Sequence, residues 1–252
     1  MDVSPSKYQL SIFCDLSKIK PETQLIQSLF LGVVHWNVFP NIVKEINMEL
    51  SQNVNNPNSL NRIPITVDRM QFISSDRKKK INLLTTRIDI EVLNPISIDN
   101  YTLDQFHEDS IKILSSILDI LKIDSNRLGL VTTYYNPANP KLSKLQDTSI
   151  DMDGQTLYPT EWNQQFTYNK MIKLNKSTEQ LNMTAIFGKS GLNLQNFAGV
   201  TSDRFELNFD VNTTALNTSY RFKVDDVTLF YHEAFKLVEE FKQKILDLFF
   251  KK

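Results

Sequence analysis

The sequence predicts an α+β fold, an antiparallel or mixed sheet covered by a few long amphipathic helices, and three observations carry that expectation. Residues 69–92 read as extended segments leading into a helix that begins near Thr102. Residues 204–224 lead in the same way into a helix that begins near Asp226 and runs almost to Lys252. Strict alternation of strand and helix is missing, which argues against a doubly wound or barrel architecture.

The elements follow from their periodicity. Tyr8, Leu10, Ile12 and Cys14 alternate with polar neighbours, as on a half-buried strand. Pro21 suits a first helical turn, and Leu25, Ile26, Leu29, Phe30 and Val33 recur at helical spacing up to a stop at 32–36. Residues 41–50 fit one face of either a helix or a strand, and the strand reading is taken. The Asn- and Pro-containing segment 53–61 is expected to be a loop, because those residues favour turns over ladders. Segments 63–74 and 80–92 are expected to be two strands of one hairpin with its tip at 75–79.

Thr102-Leu103-Asp104-Gln105 has the capping-box pattern, followed by a stripe of Phe106, Ile113, Leu114, Ile117 and Leu121. Segments 127–135, 164–174, 180–187 and 204–211 read as further strands, the last with Phe205, Leu207, Phe209 and Val211 on one face. The final helix carries Phe230, Ala234, Leu237, Val238, Phe241, Ile245, Leu248 and Phe249 as an apolar stripe. Thr102-Leu103 before His107-Glu108, and Thr228-Leu229 before His232-Glu233, open the two long helices in similar ways. An internal duplication into two related strand-strand-helix halves and shared helix-start chemistry account for this equally well. The expected organisation is an N-terminal half over 1–140, an irregular connecting loop over 141–163 and a C-terminal half over 164–252, packed as one unit.

Composition removes several classes of function. With 28 basic and 29 acidic side chains the net charge is −1, so no global field draws the molecule onto a polyanion. No apolar run approaches the ~20 residues of a membrane span, and the opening residues lack a basic-then-apolar leader, so a cytoplasmic location without a membrane partner is expected. Cys14 is the single cysteine, which excludes an internal disulfide and a multi-cysteine zinc site, and its strand position predicts a buried, inert thiol.

Candidate chemistry is sparse. Adjacent residues of His107-Glu108 and of His232-Glu233 diverge by about 100° on a helix, and the second histidine of a zinc-protease motif is replaced by Ile111 and Lys236. Glu in a first turn complements the helix dipole without any metal. Asp151 and Asp153 could hold a divalent cation but suit a turn as well. Gly188-Lys189-Ser190-Gly191 lacks the upstream glycine of a phosphate loop and reads as a turn. No catalytic residue, metal ligand set or cofactor is assigned. Arg77, Lys78, Lys79 and Lys80 form the densest positive run, at a hairpin tip where they could meet phosphates or an acidic partner; a solvated tip is the simpler reading.

The segment Phe72-Ile73-Ser74-Ser75-Asp76, the 80–92 strand, Tyr101 to Phe106, Arg127-Leu128-Gly129-Leu130 with Tyr134, and the closing strand followed by His232-Glu233 resemble a sporadically distributed family of uncharacterised bacterial proteins of about this size. The resemblance spans most of the chain but rests on soft hydrophobic patterns, and the early segment departs from it. It implies no catalytic residues, and its patchy occurrence in variable genome regions implies an accessory role such as phage defence or toxin immunity.

The expected function is therefore a non-enzymatic protein-interaction module, binding a protein partner or a second copy of itself, with Trp162, Phe241, Ile245, Phe249 and Phe250 as interface residues. Nucleic-acid binding through the basic tip is the alternative. A metal-dependent hydrolase is the third.

Overall fold

The computed structural model describes residues 3–53, 56–136, 150–152, 155–157, 162–175, 177–190 and 204–250. One antiparallel sheet of nine strands dominates it. In chain order the large-sheet strands and helices are β1 (Ser4–Phe13), α1 (Thr23–Val33), β2 (Phe39–Asn53), β3 (Asn56–Ile73), β4 (Lys79–Leu83), β5 (Arg87–Leu93), α2 (Leu103–Leu121), β6 (Arg127–Asn136), β9 (Trp162–Lys173), β10 (Thr178–Ser190), β11 (Arg204–Thr213) and α3 (Val224–Phe250). Between β6 and β9 lies a small separate hairpin of β7 (Ile150–Met152) and β8 (Gln155–Leu157).

This overturns the expected sheet covered by a few long helices. The sheet is the main body of the described residues, and three helices pack on it. Three sequence readings hid strands. The Asn-rich segment 53–61 is mostly ladder, because β2 and β3 pair from Phe39↔Ile73 out to Gln52↔Leu60, where cross-strand pairing outweighs local turn preference. The 80–92 strand is in fact two, β4 and β5, turned at 84–86 where Leu84 N–H donates to Arg87 O at 2.9 Å. Residues 188–190 continue β10 rather than turning.

The strand order is β2-β3-β4-β5-β1-β6-β11-β10-β9. Its centre is the antiparallel pair β1–β6, with Leu10 opposite Leu130. Outward from this seam the order β1-β5-β4-β3 is matched by β6-β11-β10-β9, and β5 and β11 each feed a long helix. Although β6 precedes residue 140, it pairs with β11.

Side chains alternate between faces by strand geometry, and the register lines them up in rows. Phe72, Ile81, Ile90, Leu10, Leu130, Val211 and Met183 form one continuous row across seven strands, every member buried. The helices lie on this face: α1 contacts β2, α2 contacts β1, and α3 contacts β6 and β11. Helix α2 begins with the expected capping box, Thr102 accepting from Gln105 N–H while Gln105 Oε1 accepts from Thr102 N–H. Helix α3 starts at Val224, so Thr228 is no cap; its hydroxyl donates to Val224 O at 3.1 Å. The two helix starts are thus chemically different. Gly32 lets α1 approach α2, since a Cβ there would come 3.0 Å from Ser116 Cβ.

An arginine pins the loops of each half, Arg69 buried and Arg221 partly so. Arg69 is 4% exposed; it donates to Glu45 Oε2 at 3.1 Å and to the carbonyls of Leu16 and Ile19 at 3.2 and 2.9 Å. Arg221 makes two parallel bonds to Glu179 at 2.9 and 3.0 Å and reaches Asn126 O at 2.6 Å. Removing one partner of such a pair strands a charge away from water. Glu179→Ala is expected to lower unfolding stability by about 3 kcal/mol, seen as an earlier midpoint in urea unfolding; an unchanged midpoint would show that the clamp carries no weight.

Candidate functional site

A cavity of about 410 Å³ opens where the start of α2 and the second half of α3 meet over β1 and β6. Tyr8 comes from β1, Tyr101, Thr102 and Asp104 from the entry to α2, Tyr134 from β6, and Glu239 and Lys242 from α3. The inward phase of each strand brings Tyr8 and Tyr134 here, and their rings lie 6.3 Å apart, edge to face. Lys242 Nζ pairs with Glu239 at 2.6 Å and stands 4.9 Å from the centre of the Tyr134 ring. Behind this, Trp36 Nε1–H donates to Tyr101 Oη at 3.3 Å, and Tyr101 donates to Asp109 at 2.5 Å.

Burial sets the electrostatics of the three tyrosines. Burial, with Glu239 and Asp104 adding to it, raises the Tyr8 phenol above its ordinary range. Burial also raises Tyr134, with Tyr8 and Glu239 contributing, and raises Tyr101, with the Asp109 hydrogen bond contributing. All three phenols stay protonated at neutral pH, so none is poised as a general base.

A second feature is the ribbon of β2 and β3. Strand β2 is a sheet edge, and it exposes Ile42, Ile46 and Met48 on one face at 53%, 69% and 64% of full accessibility, with Phe39 at 54%. Their β3 partners across the ladder, Thr66 and Pro64 opposite Ile46 and Met48, are themselves exposed. The sequence showed the alternation of Ile42, Ile46 and Met48; what it could not show is that these lie beyond the reach of the helices.

The third feature is the sheet face opposite the helices. Asn41, Gln71, Asn82, Asp89, Ser11, Gly129, Asn212, Asn182 and Asn169 are successive partners across all nine strands. Neighbours in this row bond to one another: Asn41 to Gln71 at 2.9 Å, Gln71 to Asn82 at 2.7 Å and Ser11 to Asp89 at 2.6 Å. No sequence signal announces this row, because each strand contributes one ordinary residue, polar in every strand but β6 with its Gly129, and only the register aligns them.

The residues singled out from the sequence are scattered. Arg77 sits at the turn with φ 61° and is exposed. Lys78 pairs with Asp76 at 3.8 Å and donates to Ser97 O at 3.4 Å. Lys79 points to the helix face, its Nζ 5.3 Å from the Trp36 ring and 5.0 Å from the Tyr101 ring, and burial lowers its pKa against the opposing pull of Asp109 and Asp76. Lys80 points to the other face, opposite Glu91. Strand alternation thus splits the basic run.

Phe241 is half-buried with its ring 4.8 Å from Tyr168, and Ile245 is buried, so this part of the stripe is covered by the chain's own sheet. Phe249 and Phe250 belong to α3 and Trp162 opens β9, but their side chains lie outside the described residues. So do Asp153 and the side chain of Asp151. The His107 and His232 rings lie 6.1 Å apart, and the His107 ring packs tilted against Phe235 at 4.5 Å. Burial, then His232, lowers the His107 pKa. Among the described residues no group of three or more His, Cys, Asp or Glu is placed to hold a metal. No described helix is long and apolar enough to cross a membrane.

Comparison with protein-family models and with curated proteins finds no match.

Cys14 is buried, and burial, then Asp15, pushes its thiol up to about 12. A thiol-specific aromatic disulfide reagent at pH 8 is expected to leave it unmodified in the native protein and to titrate it on unfolding. Rapid native reaction would contradict its burial.

Proposed function

We propose that the chain is a non-enzymatic protein-interaction module that receives a partner's extended segment along the β2 edge. The observation that carries this reading is the set of exposed apolar side chains Ile42, Ile46 and Met48 on β2, which among the described residues is an edge strand. Protein sheets ordinarily blunt such edges with charge or cover them; on β2 the exposed Lys44 lies between Ile42 and Ile46, and the other edge, β9, carries Lys170, bridged to Glu233 at 3.0 Å, and Lys173 beside exposed Tyr168 and Met171. Addition of a strand would supply main-chain hydrogen bonds, while alternate apolar positions of the partner would pack beside Ile42, Ile46 and Met48. The partner's chemistry is thus an extended segment with apolar residues at every second position.

This moves the interface from the C-terminal stripe expected from sequence to the ribbon. An accessory role in phage defence or toxin immunity, as the bacterial resemblance implies, fits a protein that works by holding another. The basic tip supports nucleic-acid binding less well, since Lys78 and Lys79 are engaged within the fold and Lys79 and Lys80 face opposite ways.

Light scattering on the full chain, with cross-linking to an identified protein of the native host, tests the proposal. Self-association or the identified contact is expected to fall at least tenfold in the Ile42→Lys/Ile46→Lys variant, with thermal stability nearly unchanged because both residues are exposed. A monomer without a partner, or a contact indifferent to the variant, would end the proposal.

A further inference from the structure

We propose that the cavity between the start of α2 and the second half of α3 binds an aliphatic ammonium, held by Asp104 and Glu239 against tyrosine rings. This site is separate from the ribbon and does not depend on it.

The charge balance comes first. The cavity walls carry two carboxylates, Asp104 and Glu239, and one ammonium, Lys242. Lys242 is committed to Glu239 at 2.6 Å. Among the described residues Asp104 forms no ion pair and faces only the partial positive charge of the α2 N-terminus, so one of the two wall carboxylates has no side-chain ammonium opposite it.

The walls then select the kind of cation. Tyrosine faces attract ammonium groups through the ring quadrupole, more strongly where water is thinned out. Lys242 Nζ already stands 4.9 Å from the Tyr134 ring centre, so the site accommodates an ammonium over that ring. Next to the cavity the protein repeats this chemistry: Lys79 Nζ lies over Trp36 and Tyr101, and Tyr101 is bonded to Asp109. Tyr8 and Asp104 supply a further ring and acid at the cavity without a resident ammonium of their own.

Anions are disfavoured. The α2 amides that would attract them are partly spent on the capping box, and Asp104 stands in that first turn. A volume of about 410 Å³ lies at the small end of ligand sites, which suits a short chain such as a diamine.

Calorimetric titration of the full chain with 1,4-diaminobutane tests the inference. Saturable binding to one site is expected, weakened at least about tenfold by Asp104→Asn and by Glu239→Gln, and tightened by Lys242→Met, which removes the resident ammonium. Asp104 is exposed on the helix, so its substitution leaves the fold intact and the comparison decisive. Absence of saturation by about 10 mM amine in both the wild type and Lys242→Met would overturn the inference. So would undiminished binding by the Asp104→Asn/Glu239→Gln double variant, or a preference for acetate over the amine.

Discussion

The antiparallel pairing of β1 with β6 is the constraint on which the rest of this structure depends. Five strands lie on the β1 side and four on the β6 side, and without the seam β1 and β6 would both be open edges in the middle of the apolar row. Joining them makes Leu10 and Leu130 neighbours and completes a row that runs from Phe72 to Met183. The seam also fixes α3, because Tyr231, fully buried, donates from that helix to Ser11 O on β1 at 2.8 Å. A helix of the second half is thereby tied to a strand of the first.

From that seam follows the division of the two faces. All three helices lie on the apolar side, where Tyr8, Phe106 and Phe235 link β1, α2 and α3 through ring contacts of 5.5 and 6.2 Å. The other face pairs charges of its own, as in Lys7–Glu91 at 3.0 Å and Arg87–Asp89 at 2.9 Å. A sheet this wide outruns three helices, so the ribbon of β2 and β3 extends past their cover and the cavity remains where α2 and α3 meet over the seam. Both candidate binding features are consequences of the mismatch between sheet width and helical cover.

Local chemistry was the legible part. The capping box at Thr102 and the alternation of Leu207, Phe209 and Val211 could be read directly, since each signal lies within a few residues of what it determines. The turn between β4 and β5 left a trace that is visible in retrospect: the apolar phase runs through odd positions at Ile81 and Leu83 and even ones at Ile88, Ile90 and Val92. A change of phase inside an apparent strand marks a reversal of the chain. The dominance of the sheet was not legible, because the ladder that makes 56–61 a strand is formed with β2 and not by local preference. The cavity was hidden for the same reason. Tyr8, Tyr101, Tyr134, Glu239 and Lys242 come from the start, the middle and the end of the sequence, and each taken singly resembles a core aromatic or a solvated charge.

Hydrogen exchange at the seam tests most directly the claim that β1–β6 pairing unites the two halves. The amides of residues 8–12 and 128–132 should exchange only through global unfolding, with one common free energy that also governs β5 and β11. Exchange of either half's central strands through a separate, lower-energy opening while the other half stays protected would contradict it.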